Sequence, residues 1–345
     1  FTQPSSDGQR LYAAHDMWWT YTAMLRTYKH YTLNFADKYT MAHSVSFSSY
    51  PGNLCSGDDF YITGQSLVVM ETTNNVMNNS LYANTTTQSM PYWIRIGVAN
   101  RMSVSLRNGA DWVKHFSEYN SGTYNNQWMV VDMKLFKAGS PLAPNTLWVA
   151  EQIPGYIVSA DQTPTLISQG YWPSYNVPFY PFIYNISMYP QFLAKYGDDY
   201  SYSQCSRANI FRRDEGAVQD MDDMQRIMRY NQYQTDPLSQ QDAGKAISAR
   251  GDLNVPWLQD AYVPYGYSRF LVNVRSAFGG IDSKITEASM VGDRHALAVS
   301  GPTWSAQPPF AWTEQWNSVP HFGHPTVFDF DYVDARPHEP KADQP

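Results

Sequence analysis

Between residues 126 and 161 two apolar stretches, NQWMVVDMKLF and TLWVAEQIPGYIVSAD, follow one another closely. Both are rich in Val, Ile, Leu and Trp and read as adjacent strands of a buried sheet. A buried sheet needs apolar cover on its faces, so the other segments must supply it. RLYAAH, at residues 10–15, has the length and composition of a further strand. SVSFSSYPG reads as a strand closed by a Pro-Gly turn, and DDFYITGQSLVVMETT as two strands or a hairpin. Helical spacing marks PYWIRIGVANRMSVSL, GADWVKHFSEYNSGT and GAVQDMDDMQRIMRYNQY. In the last of these Asp220, Asp222 and Asp223 precede Arg226 and Arg229, the order that complements a helix dipole. A helix is also predicted for MWWTYTAMLRTYKHY. There Asp16 takes the N-cap position and Trp18, Tyr21, Leu25 and Tyr28 fall on one face. AFGGID reads as a turn, and the last hundred residues as loop-rich. No linker or repeat interrupts the 345 residues, and strands and helices alternate unevenly. This favours a mixed α+β architecture over a doubly wound sheet.

The chain is 43% hydrophobic, 15% aromatic and only 16% charged, a composition that folds rather than stays disordered. Its net charge is −7 and its Lys and Arg residues are scattered, which argues against a nucleic-acid partner. No run of 18 apolar residues is present, so no transmembrane segment is expected. The chain starts at Phe1 without a signal peptide and reads as the mature part of a processed precursor. Two cysteines, Cys55 and Cys205, are too few for a disulfide framework. Three N-glycosylation sequons begin at Asn78, Asn84 and Asn185, two of them in one polar stretch, as in a protein of the secretory pathway.

Several residues suit chemistry. An imidazole at a strand end, as at His15, can serve as a base or orient a nucleophile, or be a structural histidine bonded in place. Asn125 and Asn126 precede a strand, and Asn176 lies in WPSYNVPFY among aromatics and prolines. Carboxamides so placed can donate to an oxyanion or simply make a turn. His321 and His324 in HFGH could chelate a metal, but two ligands without a nearby carboxylate are few; no metal and no cofactor is expected. Neither GxSxG nor HExxH occurs.

The blocks AHDMWWTYTAMLRTYKHY, SGTYNNQWMVVDMKLF, EQIPGYIVSAD, YWPSYNVPF, IFRRDEGAVQDMDDMQRIMRYN and SGPTWSAQPPFAW stand in this order. Together they closely resemble the phospholipase B-like proteins, from about residue 9 to residue 328. The resemblance implies a four-layer αββα sandwich of the N-terminal nucleophile hydrolase type, with residues 1–345 as one hydrolase domain. Such proteins are cut from a precursor by autocleavage, which frees a Cys whose thiol attacks and whose α-amine is the base. An unperturbed α-amine titrates at about 7.7–8.0 and can take the thiol proton. The resemblance implies that this Cys lies about one to three residues before Phe1; neither Cys55 nor Cys205 can replace it, because the α-amine must belong to the same residue. His15 would sit across from it, with Asn176 and Asn126 near the oxyanion. Trp18 would wall the pocket; Asn125 and Arg207 would contact substrate. The substrate would be a lipid or acylated small molecule cleaved at an ester or amide bond. The smaller N-terminal chain of the precursor would be a partner, and the compartment lysosomal or secreted. The alternative is a catalytically inactive glycoprotein that keeps the fold as a binding or structural partner.

Overall fold

A computed structural model of the chain describes residues 1–102, 108–255 and 275–337. In chain order its strands begin with β1 (Thr2–Pro4), β2 (Leu11–His15), β3 (Trp18–Thr20), β4 (Thr27–Thr32), β5 (Ser44–Ser49), β6 (Phe60–Thr63) and β7 (Leu67–Thr73). They continue with β8 (Asn126–Asp132), β9 (Leu147–Ile153), β10 (Tyr156–Asp161), β11 (Phe278–Gly280), β12 (Asp282–Glu287) and β13 (Ala296–Ser300). The last are β14 (Phe310–Ala311), β15 (Val327–Phe328) and β16 (Val333–Ala335). The α-helices are α1 (Tyr92–Met102), α2 (Asn108–Ser117), α3 (Thr163–Gln169), α4 (Pro181–Ile186), α5 (Tyr189–Tyr196), α6 (Ser206–Asp214) and α7 (Met221–Met228).

Strands β4 to β10 form an antiparallel sheet in which sequence neighbours are spatial neighbours. A second antiparallel sheet has the order β1-β2-β12-β13-β16. Side-chain alternation stacks the two sheets and covers their outer faces. Leu11 and Ala13 of β2 pack with Phe60, Ile62, Val68, Met70, Met129 and Val131 between the sheets. The opposite face of the larger sheet, with Leu67, Val69, Trp128 and Val130, packs on Ile96 and Ala99 of α1 and on Trp112 and Phe116 of α2. Tyr12 and Ala14 of β2 turn the other way, with Ile285 of β12, onto Ala208 and Phe211 of α6 and Met224 and Ile227 of α7. The layering is α, β, β, α, as the family resemblance implied. The outer core is aromatic: Trp112 and Phe116 stack at 4.9 Å, and Trp128 lies 5.6 Å from Trp112, all fully buried. Truncating either Trp to Ala removes roughly 3–5 kcal/mol of stability.

The strands predicted within residues 10–15, 44–52, 58–73, 126–136 and 146–161 form in substance, as do helices at α1 and α2. Three predictions fail. The helix expected after Asp16 is instead strand β3, a single 3₁₀ turn at Tyr21–Ala23 and strand β4. Helical spacing was outweighed by β-forming Trp, Tyr and Thr and by tertiary pairing: β3 pairs with β11, and β4 edges the larger sheet. Leu25, on the expected apolar face, is exposed. AFGGID is not a turn but β11 and the start of β12. There a Cβ on Gly279 would come within 2.2 Å of the Ala249 carbonyl, so the close approach needs glycine. The helix around residues 216–233 is shorter than its pattern. Asp220 caps α7 by accepting from the Asp223 amide, and the chain leaves the helix at Arg229. Asn231 then donates to the carbonyls of Ala243 and Ser248. WLQDAYVPYGYSRF lies outside the described residues. Cys55 and Cys205 are both free thiols.

Candidate active site

A cavity of about 800 Å³ lies where the C-terminal ends of β2 and β7 meet the start of α6. His15, Trp18, Asn176 and Arg207, widely spaced in sequence, all line it. His15 is buried at the end of β2 and its Nε2 meets the Glu71 carbonyl of β7 at 2.9 Å. A carbonyl only accepts, so Nε2 carries the proton and Nδ1 is left as an acceptor, without a hydrogen-bond partner. Burial, helped by the positive charge of Lys284, holds the imidazole pKa well below its ordinary value. The ring is therefore a neutral imidazole whose open Nδ1 can accept a hydrogen bond.

Asn176, Arg207 and Trp18 form one assembly. Arg207 Nη1 donates to Asn176 Oδ1 at 2.7 Å, and its guanidinium lies 4.3 Å over the Trp18 ring. Trp18 is held in turn by its Nε1 donating to the Ile247 carbonyl. Asn176 adopts φ +67°, a left-handed conformation that asparagine tolerates better than most residues. Its Nδ2 donates to the Thr73 carbonyl at 2.8 Å, and its own carbonyl accepts from the Tyr189 hydroxyl. The unusual backbone is thus pinned from β7, α5 and α6 together. One Nδ2 hydrogen remains for a ligand. Arg207 has no carboxylate within ion-pair distance among the described residues.

Phe1 closes the cavity beside His15. Its nitrogen donates to the Ala14 carbonyl at 2.8 Å, and its ring stacks on Phe211 at 4.7 Å. Asn125 and Asn126 do not line the cavity. Asn125 Nδ2 donates to Gly122 within the turn, and Asn126 is buried at the start of β8, opposite Thr73. Of the sequon residues, Asn84 and Asn185 are exposed; Asn78 is half-buried and its Nδ2 donates to the Ile186 carbonyl. His321 stacks flat on Trp312 at 4.3 Å. Among the described residues no group of three His, Cys, Asp or Glu is placed to hold a metal ion, and no helix is long and apolar enough to cross a membrane.

Sequence reasoning missed the acids of this cavity. Asp16, expected as a helix cap, is a buried carboxyl raised to about 7 by burial. Glu71 lines the wall, where its two oxygens accept from the hydroxyls of Tyr124 at 3.2 Å and Thr73 at 3.4 Å. A glutamate inside the apolar run SLVVMETT was the available signal. Next to it Asp58 accepts from Lys284 Nζ at 2.6 Å and forms an ion pair with Arg26 Nη2 at 2.8 Å, and Lys284 also reaches Asp282 at 2.6 Å. These two cations hold the Asp58 carboxyl well below the usual range, despite complete burial.

The family model described as Phospholipase B matches residues 4–335. A phospholipase B-like 1 from Rattus norvegicus is 44% identical over 330 residues, covering 95% of this chain and 56% of that protein. Phospholipase B-like protein G from Dictyostelium discoideum is 44% identical over 345 residues, covering 96% and 55%. The chain spans about half the length of the curated relatives it matches. Among solved structures, a penicillin V acylase from Agrobacterium tumefaciens aligns at 10% identity with a TM-score of 0.46, over 87% of this chain and 82% of that one.

Proposed function

This chain belongs to the phospholipase B family, and on that premise we propose that it is the larger chain of a self-processed hydrolase acting on a lipid or acylated small molecule. The nucleophile is a Cys within the three positions before Phe1. One observation carries this reading. Strand β1 pairs antiparallel with β2 in the register Thr2↔Ala13, so a residue preceding Phe1 would fall opposite His15. Side chains directly opposite in such a ladder lie roughly 5 Å apart, within reach of an imidazole.

The chemistry follows from the groups named. The α-amine of the Cys takes the thiol proton, and the sulfur attacks the ester or amide carbonyl. His15, neutral and with Nδ1 open, orients the thiol and accepts a hydrogen bond from it. Negative charge on the carbonyl oxygen meets the remaining Nδ2 hydrogen of Asn176, whose orientation Arg207 and Thr73 fix in advance. Collapse expels the alcohol or amine, which takes the proton back from the α-ammonium; water, giving a proton to the freed α-amine, then attacks the thioester, and that proton returns to sulfur as the acid leaves. Trp18 walls the cavity against bulk solvent. Asn125 and Asn126 support the β8 end of the site rather than contact substrate. Residues 1–345 form one hydrolase domain, with the smaller N-terminal chain of the precursor as its partner. The setting is the lysosome or the cell exterior, with glycans at Asn84 and Asn185 and a third sequon at Asn78.

Intact mass and N-terminal sequencing of the native protein, with an acyl-release assay, test this reading. Replacing the upstream Cys by Ala should block both maturation and acyl release. Unimpaired processing and hydrolysis in that variant, or another residue throughout those three positions, would overturn it and favour the inactive glycoprotein.

A further inference from the structure

A second concavity, of about 350 Å³, lies between α1 and the edge strands β4 and β5 of the larger sheet. Alternation along β4 sets Lys29 and Tyr31 opposite Phe47 and Val45, on the face that carries α1. Leu33, Phe47, Leu54, Trp93 and Val98 make this groove apolar. Leu54 is 76% exposed and Trp93 44%, and Phe35, Tyr39 and Met41 nearby stand exposed as well. The Met41 and Ala42 amides donate to the Arg101 carbonyl, which fixes the loop of residues 33–43 to the end of α1. Large apolar side chains gathered on one surface mark a place where something docks.

The rim of the groove is cationic. The Arg101 guanidinium lies 5.0 Å over the Phe35 ring, Lys38 Nζ lies 5.1 Å over the Tyr39 ring, and Lys29 Nζ donates to the Asn53 carbonyl. None of the three meets a carboxylate at ion-pair distance among the described residues. Residues 27–43, 50–57 and 92–101, which build this face, hold a single acid, Asp37. Its oxygens accept from the Thr40 hydroxyl and from the Tyr39 and Thr40 amides. The chain as a whole carries −7, so this face stands apart in sign. A positive, aromatic rim around an apolar surface suits a membrane interface, where Trp and Tyr rings sit at head-group level and Lys and Arg reach the phosphates. The centre of a protein–protein contact is instead poor in Lys.

We propose that this face, with Leu54 and Trp93 at its centre and Lys29, Lys38 and Arg101 at its rim, docks the protein on an anionic lipid bilayer. The groove adjoins the active-site cavity. In the loop that follows β5, exposed Asn53 lines the cavity and its neighbour Leu54 lines the groove. Tyr92 and Trp93, at the start of α1, divide in the same way. A bilayer resting on this face therefore lies beside the cavity mouth. Delivery of a lipid into the cavity rests on the hydrolase reading; the docking itself needs no turnover.

Sedimentation of the native protein with vesicles of phosphatidylcholine, with and without phosphatidylglycerol, tests the docking. The anionic vesicles should bind at least about tenfold tighter than the neutral ones, and added salt should narrow the gap. Leu54→Asp combined with Trp93→Ser should weaken binding to anionic vesicles by at least about tenfold, and Arg101→Glu by roughly fivefold or more. None of the three residues lines the cavity, so hydrolysis of a soluble short-chain ester should be unchanged in both variants; circular dichroism reports that they fold. Native protein that binds neither vesicle, as when the smaller chain of the precursor covers this face, would overturn the proposal. So would equal binding to both vesicles, or tight binding that survives in the folded double variant. Vesicle binding without acyl release would leave the docking standing and sink the hydrolase reading, and acyl release without vesicle binding would do the reverse.

Discussion

Taking the protein from pH 7 to pH 5 should stabilise it, by about 4 kcal/mol or more. Asp16 and Asp59 are buried carboxyls raised to about 7, burial being the main cause for each. Unfolded, they titrate near 3.9. Across this window the folded chain takes up a proton at each site and the unfolded chain does not. Stability therefore rises as pH falls, by about 2 kcal/mol per site over the two pH units. Glu71, also raised by burial, adds in the same direction. His15 opposes them. Its folded pKa is depressed, so below about 6.5 the unfolded chain gains a proton that the folded one refuses, which costs about 2 kcal/mol by pH 5. Glu151, raised to about 7 by burial, joins the two aspartates, so with one imidazole opposed to three carboxyls the balance is about two carboxyls' contribution plus that of Glu71. Urea unfolding at the two pH values measures it. Asp59→Asn mimics the protonated acid and keeps an acceptor for the Tyr61 hydroxyl, so it should flatten the profile by about 2 kcal/mol. A urea midpoint that is lower at pH 5, with unchanged slope, would refute the assignment of these acids as neutral in the folded protein.

Replacing Lys284 by Met leaves Asp58 and Asp282 sharing Arg26 alone in a buried setting. It should cost roughly 3–5 kcal/mol in chemical unfolding, and a loss under about 1 kcal/mol would contradict the network described. Asn176→Ala should reduce kcat for acyl release on the order of 10²–10³-fold, with Asn176→Gly as the control that relieves the left-handed backbone; full activity in both would remove Asn176 from the oxyanion. Gly279→Ala places a methyl against the Ala249 carbonyl and should break the β3–β11 pairing that seats Trp18 and Trp19, read as lost hydrogen-exchange protection at those residues.

Most of the sheet framework was legible because its strands are apolar on both faces or alternate cleanly, as in SLVVMETT and NQWMVVD. The pairing of distant segments was not. Nothing in residues 17–31 announces that Trp18 will meet Gly280 across a gap of more than two hundred residues, and local spacing there favoured a helix. His15 and Asn176 stood out as polar groups where apolar or turn chemistry was due, and the family resemblance supplied their roles. Asp16, Asp58 and Lys284 did not stand out, because an ion network assembled from β2, β12 and the loop before β6 exists only in three dimensions. Glu71 could have been suspected from a charge within a strand, but its lack of an ion-pair partner among the described residues emerges only in three dimensions.

The bond from His15 to the Glu71 carbonyl joins a strand of one sheet to a strand of the other. The tautomer of the ring is thereby tied to how the two halves of the sandwich are aligned. Sliding one sheet by even an ångström would free the imidazole to exchange its proton between nitrogens, without unfolding a single strand. Chemistry that depends on this ring should thus fade under mild denaturant or pressure earlier than the secondary structure does, which makes the imidazole a gauge of the seam between the sheets.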